Sequence, residues 1–283
     1  MTIPFTKAQA VGNDFLIVAW DALARLGVEE SALPELARGM CDRRRGIGAD
    51  GLEVLYAPET DDALASLRLF NSDGSEAEIS GNGTRCVAAF LVAEERAAGV
   101  LSIGTKAGTK TLRLLKRDGY RFVFEMAMGR PQYKESEVGC RLETTTGTRE
   151  VTLLNVGNPQ CVLLVGDFDF DWRSLGREIE TLPRFPDRTN VSFVKIVDGN
   201  TIDVRFWERG AGETLSSGTG STGAAVAAIL SGNVKSPVRI QTLAGGMRLT
   251  WRDEAILEGP AEITGRGDYY GFSGSPGQPS ERT

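Results

Sequence analysis

Two short segments hold the residues best placed to do chemistry. They are Glu76-Ala-Glu-Ile-Ser80-Gly-Asn-Gly-Thr84 and Glu213-Thr-Leu-Ser-Ser217-Gly-Thr-Gly-Ser221. Both read Glu-x-x-x-Ser-Gly-x-Gly-[Thr/Ser], and about half the chain separates them. Each leads into an Ala-rich apolar stretch, Val87-Ala-Ala-Phe-Leu in one and Ala224-Ala-Val-Ala-Ala-Ile-Leu in the other. Gly-x-Gly ahead of a helix leaves the first backbone N–H groups unobstructed. The positive end of the helix then attracts an anion. Two such termini would grip one small carboxylate-bearing ligand from both sides, with Ser80 and Ser217 at its opposite faces. Serine before a helix is also the ordinary N-cap. Repetition at the scale of half the chain, with a glutamate four residues ahead each time, favours a duplicated site over a duplicated cap.

The composition limits what such a site can do. The chain of 283 residues contains no histidine, which excludes Ser-His-Asp and Cys-His catalysis and disfavours a transition-metal site. Acid–base work falls to carboxylates, Lys, Tyr, Cys and Ser. The four cysteines, Cys41, Cys86, Cys140 and Cys161, fit neither zinc nor CxxC spacing and read as reduced thiols. No Walker motif is present, and no lysine suggests a pyridoxal Schiff base, so the expectation is chemistry without cofactor or metal. Gly-x-Gly-x-x-Gly occurs at Gly46 and again at Gly218. The first copy runs into a strand, and the second lacks the acidic residue a dinucleotide site needs. A formal net charge of −6 makes no electrostatic case for nucleic acid or an anionic membrane. No apolar run approaches the roughly 18 residues of a membrane span. The first residues lack a signal-peptide apolar core, and the expected location is the cytoplasm.

The elements that must position these segments are mostly strands, expected at 15–19, 52–56, 66–70, 111–115, 121–126, 151–156, 162–165, 191–197 and 202–207. Helical periodicity is found at 31–41, 84–98, 170–181 and 221–230. Strands occur in runs without strict alternation with helices, which argues an α+β fold. The length suggests two domains. A turn signal at Arg117-Asp118-Gly119 divides the chain into a half at 1–118, joined by a returning strand near 262–272, and a half at 119–261. The Gly/Pro/Ser-rich tail at 273–283 reads as disordered.

Further motifs carry a resemblance that covers nearly the whole chain. They are Gly12-Asn13-Asp14-Phe15, Arg44-Arg45-Gly46-Ile47-Gly48-Ala49-Asp50-Gly51 and Phe70-Asn71-Ser72-Asp73-Gly74. Next come Gly81-Asn82-Gly83-Thr84-Arg85-Cys86, Gly157-Asn158-Pro159 and Phe185-Pro186-Asp187-Arg188-Thr189-Asn190. The last is Glu208-Arg209-Gly210-Ala211-Gly212-Glu213. In this order they resemble the diaminopimelate epimerase family. The resemblance implies two pseudo-symmetric halves, each a sheet wrapped around a central helix, with the active site in the cleft between them, and a homodimer. It implies cofactor-free interconversion of LL- and meso-diaminopimelate, a step of lysine and peptidoglycan-precursor biosynthesis. One thiolate removes the α-proton, and a thiol on the opposite face returns one. The expected substrate is a small zwitterionic amino acid held by Asn13, Asn71, Gly81, Asn82, Asn158, Asn190, Glu208, Arg209, Gly218 and Thr219. Amides suit ammonium and carboxylate groups, and Arg209 can pair a carboxylate bidentately.

The chain departs from the family where the resemblance places its two catalytic cysteines, which are Ser80 and Ser217 here. Gln160 stands where the family shows a histidine. A thiol titrates near 8.5 and an aliphatic hydroxyl near the water value of about 15.7. That gap of about 7 units is on the order of 10 kcal/mol, whereas a helix N-terminus contributes about 1–2 kcal/mol. Cys86 sits inside the helix and is no replacement. Three readings stand at this point. The chain is an epimerase with activated serines, or an isomerase or lyase using a carboxylate such as Glu78 or Glu213, or a catalytically impaired amino-acid binder.

Overall fold

The computed structural model describes residues 2–271, and the tail at 273–283 lies outside them. The chain separates into two compact units. The first holds the described residues up to Phe122 together with those from Ala261 onward, and the second is Val123–Pro260.

In the first unit, β1 (Ile3–Ala10) and β2 (Asn13–Ala19) form a hairpin, followed by α1 (Trp20–Arg25), α2 (Leu33–Cys41), β3 (Gly51–Tyr56), β4 (Ala65–Asn71), β5 (Glu76–Ala77), α3 (Gly81–Ala93), β6 (Val100–Gly104) and β7 (Lys110–Asp118). β2 pairs parallel with β3, β3 antiparallel with β4, β4 parallel with β6, and β6 antiparallel with β7. α3 packs on β1, β2, β6 and β7, while α2 packs on β3 and β4. α3 is buried on nearly all sides, from Gly81 to Ala89 and again at Leu91 and Val92. A helix apolar all round belongs inside a fold, so the sheet wraps it.

The second unit begins within β8 (Arg121–Gly129). It continues with β9 (Gln132–Tyr133), β10 (Cys140–Thr144), β11 (Gly147–Asn155), β12 (Pro159–Val165), α4 (Trp172–Glu180), β13 (Asn190–Asp198), β14 (Thr201–Glu208), β15 (Gly212–Thr214), α5 (Gly218–Leu230), β16 (Val238–Thr242) and β17 (Gly245–Trp251), and runs into β18 (Ala255–Tyr269). β12 pairs parallel with β13, β13 antiparallel with β14, β14 parallel with β16, and β16 antiparallel with β17. α5 is the enclosed helix and packs on β11, β12, β13, β14, β16 and β17. The two units thus repeat one another pairing for pairing. β18 serves both, pairing with β17 through Ala255–Glu258 and with β1 from Gln9↔Glu262 to Ile3↔Tyr269.

Both enclosed helices begin three residues earlier than their apolar periodicity indicates, because the glycines of Ser-Gly-x-Gly are themselves helical. α3 also ends at Ala93, short of the expected 98, and Glu95 turns back with φ +55. The short α1 was not expected, since six residues are too few to show a period. Strand alternation sends Leu52 and Val54 of β3 to the α2 side, where they join Leu33, Leu36 and Phe70. Glu53 and Leu55 therefore point the other way, toward α3.

Candidate functional site

Ser80 and Ser217 are both N-caps. Ser80 Oγ accepts from Gly83 N at 3.1 Å, and Ser217 Oγ accepts from Gly220 N at 3.1 Å. Each holds the extended backbone typical of that position, with φ −125 at Ser80 and φ −143 at Ser217. The cap bond uses an oxygen lone pair and leaves the hydroxyl hydrogen free for another partner. Capping and site chemistry are therefore compatible.

In the first unit, Asn82 follows the cap and is buried. Its Oδ1 accepts from Arg85 Nη2 at 2.5 Å, and its Nδ2 donates to Asn13 Oδ1 at 3.4 Å. Asn13 Nδ2 in turn donates to Asp50 Oδ2 at 2.6 Å. Because arginine only donates, this series fixes which way both amides face. Asp50 and Asp14 share Arg43, and Asp14 also meets Lys7 at 3.0 Å. Burial pushes the Asp14 carboxyl up, but hydrogen bonds from Arg43 and Lys7 hold it below the ordinary value. Arg85 is fully buried, and that burial pulls its guanidinium down to about 10. Asn71 is exposed at the end of β4, with Nδ2 on Ser75 Oγ at 3.0 Å.

The second unit builds the same arrangement from different side chains. Gly157 precedes Asn158 as Gly12 precedes Asn13, and both glycines have positive φ, +97 and +78. Asn158 Nδ2 donates to Thr219 Oγ1 at 3.2 Å, and Gln160 Nε2 donates to Asn158 Oδ1 at 2.6 Å. Asn190 is buried. It donates to Pro159 O at 3.0 Å and accepts from Arg209 N at 3.0 Å. The Arg209 guanidinium is exposed, with Nη1 on Asp187 O at 3.1 Å. Glu208 ends β14, half-buried, and its Oε1 accepts from Thr214 Oγ1 at 2.6 Å. Desolvation raises its carboxyl above the ordinary value, against hydrogen bonds from Thr214 and from Ser217 that lower it.

The glutamates of the repeated motif are committed elsewhere. Glu213 holds Arg173 with both oxygens, at 2.6 and 2.7 Å, and Glu76 pairs with Arg68 and Lys106. Glu78 is exposed. Cys86 is buried in α3, and its thiol is held well above its ordinary value first by burial and then by Glu53. Sequence reasoning overlooked Glu53, whose only signal was a charge inside the apolar run Leu52–Leu55. Glu53 is fully buried, and burial pushes its carboxyl up to about 8.

The sequence profile described as diaminopimelate epimerase matches residues 5–134 and 152–264. The diaminopimelate epimerase of Pelotomaculum thermopropionicum is 39% identical, over 94% of this chain and 98% of that protein. That of Desulforudis audaxviator is 38% identical, over 91% of this chain and 96% of that protein. Among solved structures, a hydroxyproline epimerase from Agrobacterium vitis with bound trans-4-hydroxy-L-proline superposes with a TM-score of 0.71 at 16% identity, covering 94% of this chain and 92% of the other. At that identity the likeness is one of fold.

Proposed function

The chain belongs to the diaminopimelate epimerase family, and from that premise we propose that it inverts the α-carbon of diaminopimelate by proton transfer through Ser80 and Ser217. The observation that carries this reading is the hydrogen bond between Ser217 and Glu208. A lone hydroxyl is too weak an acid to replace a thiol, but a hydroxyl bonded to a carboxylate need never become an alkoxide. As the α-C–H bond breaks, its proton passes to Ser217 Oγ while the serine proton moves to the Glu208 carboxylate. The reverse transfer re-forms C–H and restores both groups. A carboxyl raised toward the working pH is a better proton carrier for this than an ordinary one. The helix N-terminus beside each serine supplies N–H groups for the substrate carboxylate. Asn13, Asn71, Gly81, Asn82, Asn158, Asn190, Glu208, Arg209, Gly218 and Thr219 form the substrate-contact set in this reading, and Asn82 and Asn13 are already oriented by Arg85. No helix among the described residues is long and apolar enough to cross a membrane. Action in the cytoplasm as a homodimer belongs to the same proposal, and sedimentation of the purified protein checks the dimer.

The test is incubation with LL- and meso-diaminopimelate in deuterated water. Deuterium at the α-carbon is the expected outcome, whereas binding without exchange sinks the epimerase reading. Replacing Ser80 and Ser217 together by cysteine should raise exchange by orders of magnitude. A second reading, isomerisation or elimination on a more acidic carbon acid, draws on the raised Glu208 carboxyl acting directly. It predicts that Ser217→Ala retains activity while Glu208→Gln loses it.

A further inference from the structure

Glu208 supplies a carboxyl to the serine of the second unit only, and the residue at its repeat position in the first unit is Asn71. The repeat aligns Phe70 with Trp207, and these pair with Leu52 and Val191 respectively. By that register Glu53 occupies the place that Ser192 holds in the second unit. Both are fully buried, and neither makes a side-chain hydrogen bond. For Ser192 this leaves a small hydroxyl unpaired. For Glu53 it leaves both oxygens of a carboxyl unpaired in the interior, a far larger cost.

The carboxyl lies under the first turn of α3. Glu53 Oε1 occupies the place a Cβ on Gly83 would take, and Ser80 Cβ stands 3.3 Å from that same point. Gly83 is the residue whose N–H bonds Ser80 Oγ. The absence of a side chain at 83 is thus what allows a strand carboxyl to reach the underside of the cap. Cys86, one turn along, is a neutral thiol and supplies no charge. Arg85 directs its guanidinium to Asn82 and Gly81 O.

We propose that Glu53 is the proton-holding group of the first unit, acting through the Ser80 hydroxyl whose cap it underlies. This rests on the epimerase reading above. In the donating direction the neutral Glu53 carboxyl, unbonded in the resting chain, turns to Ser80 Oγ and passes its proton there while Ser80 passes its own to the α-carbanion. The C–H bond forms, and Glu53 is left as carboxylate beneath the positive end of α3. In the accepting direction the same bonds change in reverse. Glu53 acts through another residue and is therefore a positioning residue by role.

The experiment compares initial α-deuterium incorporation from LL-diaminopimelate and from meso-diaminopimelate in the wild-type protein, Glu53→Gln, Glu53→Leu and Glu208→Gln. In the epimerase reading each serine serves one face of the α-carbon, so losing one carboxyl blocks abstraction from one configuration and spares the other. Glu53→Gln and Glu53→Leu should lose at least tenfold with one substrate and retain the other, while Glu208→Gln shows the opposite preference. Glu53→Leu should also unfold at a higher denaturant concentration at pH 8, which separates loss of the relay from loss of the fold. Equal effects on both substrates, or none, overturn the assignment to Glu53 and leave the epimerase reading standing. No incorporation by the wild-type protein overturns both.

Discussion

At the scale of single residues, the chemistry turns on how far a buried site can lift a carboxyl and how little a hydroxyl can do alone. Glu53 shows the first effect. Its unfolded-state value is the ordinary one, and its folded-state value is about 8. Between these, the folded state holds a proton that the unfolded state has released. Stability therefore falls as pH rises through that window, by about 1.4 kcal/mol per pH unit. Denaturant unfolding at pH 5 and pH 8 should show this slope in the wild-type protein and lose it in Glu53→Leu. The serines show the second effect. Each caps its helix through Oγ, and losing a Ser cap costs about 1 kcal/mol. Ser80→Cys with Ser217→Cys should thus lower stability by about 1–2 kcal/mol while raising exchange. A thermal melt beside the exchange assay reads both changes.

The enclosed helices decide what may stand near these residues. α3 and α5 each begin with glycines that would meet side chains if they carried a Cβ. At Gly83 the obstacle is the Glu53 carboxyl, and at Gly220 it is the Phe206 ring at 2.8 Å. Gly83→Ala and Glu53→Ala should therefore be non-additive. Gly83→Ala alone should cost more than about 1 kcal/mol, as overpacking does, and much of that cost should vanish beside Glu53→Ala. Additive costs in this double-mutant cycle would show that the carboxyl does not fill that space. Gly220→Ala has no such flexible neighbour to remove, and its cost should persist in the Ser192→Ala background.

Over the whole molecule, the two units share one strand. β18 pairs with β17 in the second unit and with β1 in the first. Ile3 and Tyr269, paired at its far end, belong to the core around α2. Removing residues from 261 onward leaves β1 as an open edge and strips Tyr269 from that core. Amide hydrogen exchange should then accelerate in β1 and β2 while β13 and β14 stay protected. Uniform acceleration would mean that the units do not unfold separately. Acid should also weaken the first unit, which denaturant unfolding below the ordinary carboxylate range reads. Asp14 is held below the ordinary carboxylate value by Arg43 and Lys7. Its stabilisation is present above that range and is lost as pH falls through the lowered value.

Much of this was legible in the chain. The Ser-Gly-x-Gly pair announced two helix N-termini and a duplicated unit, because glycine and serine preferences there are local backbone physics. Strands such as β13 and β14 were legible because alternation and β-branching are written in a few adjacent residues. The absence of histidine, and the hydroxyls at both positions where the resemblance expects thiols, needed no coordinates. The start of α3 was misjudged because glycine hides helix from any count of apolar residues. Only the tertiary structure separated the glutamates. The sequence offers Glu78 and Glu213 alike, but Glu78 is exposed and Arg173 holds both oxygens of Glu213. Glu53, a charge in an apolar strand, gains its meaning from α3 crossing above it. Which carboxyl titrates near neutrality depends on what is packed around it and which partners it lacks. Those are long-range properties that no local pattern of residues encodes.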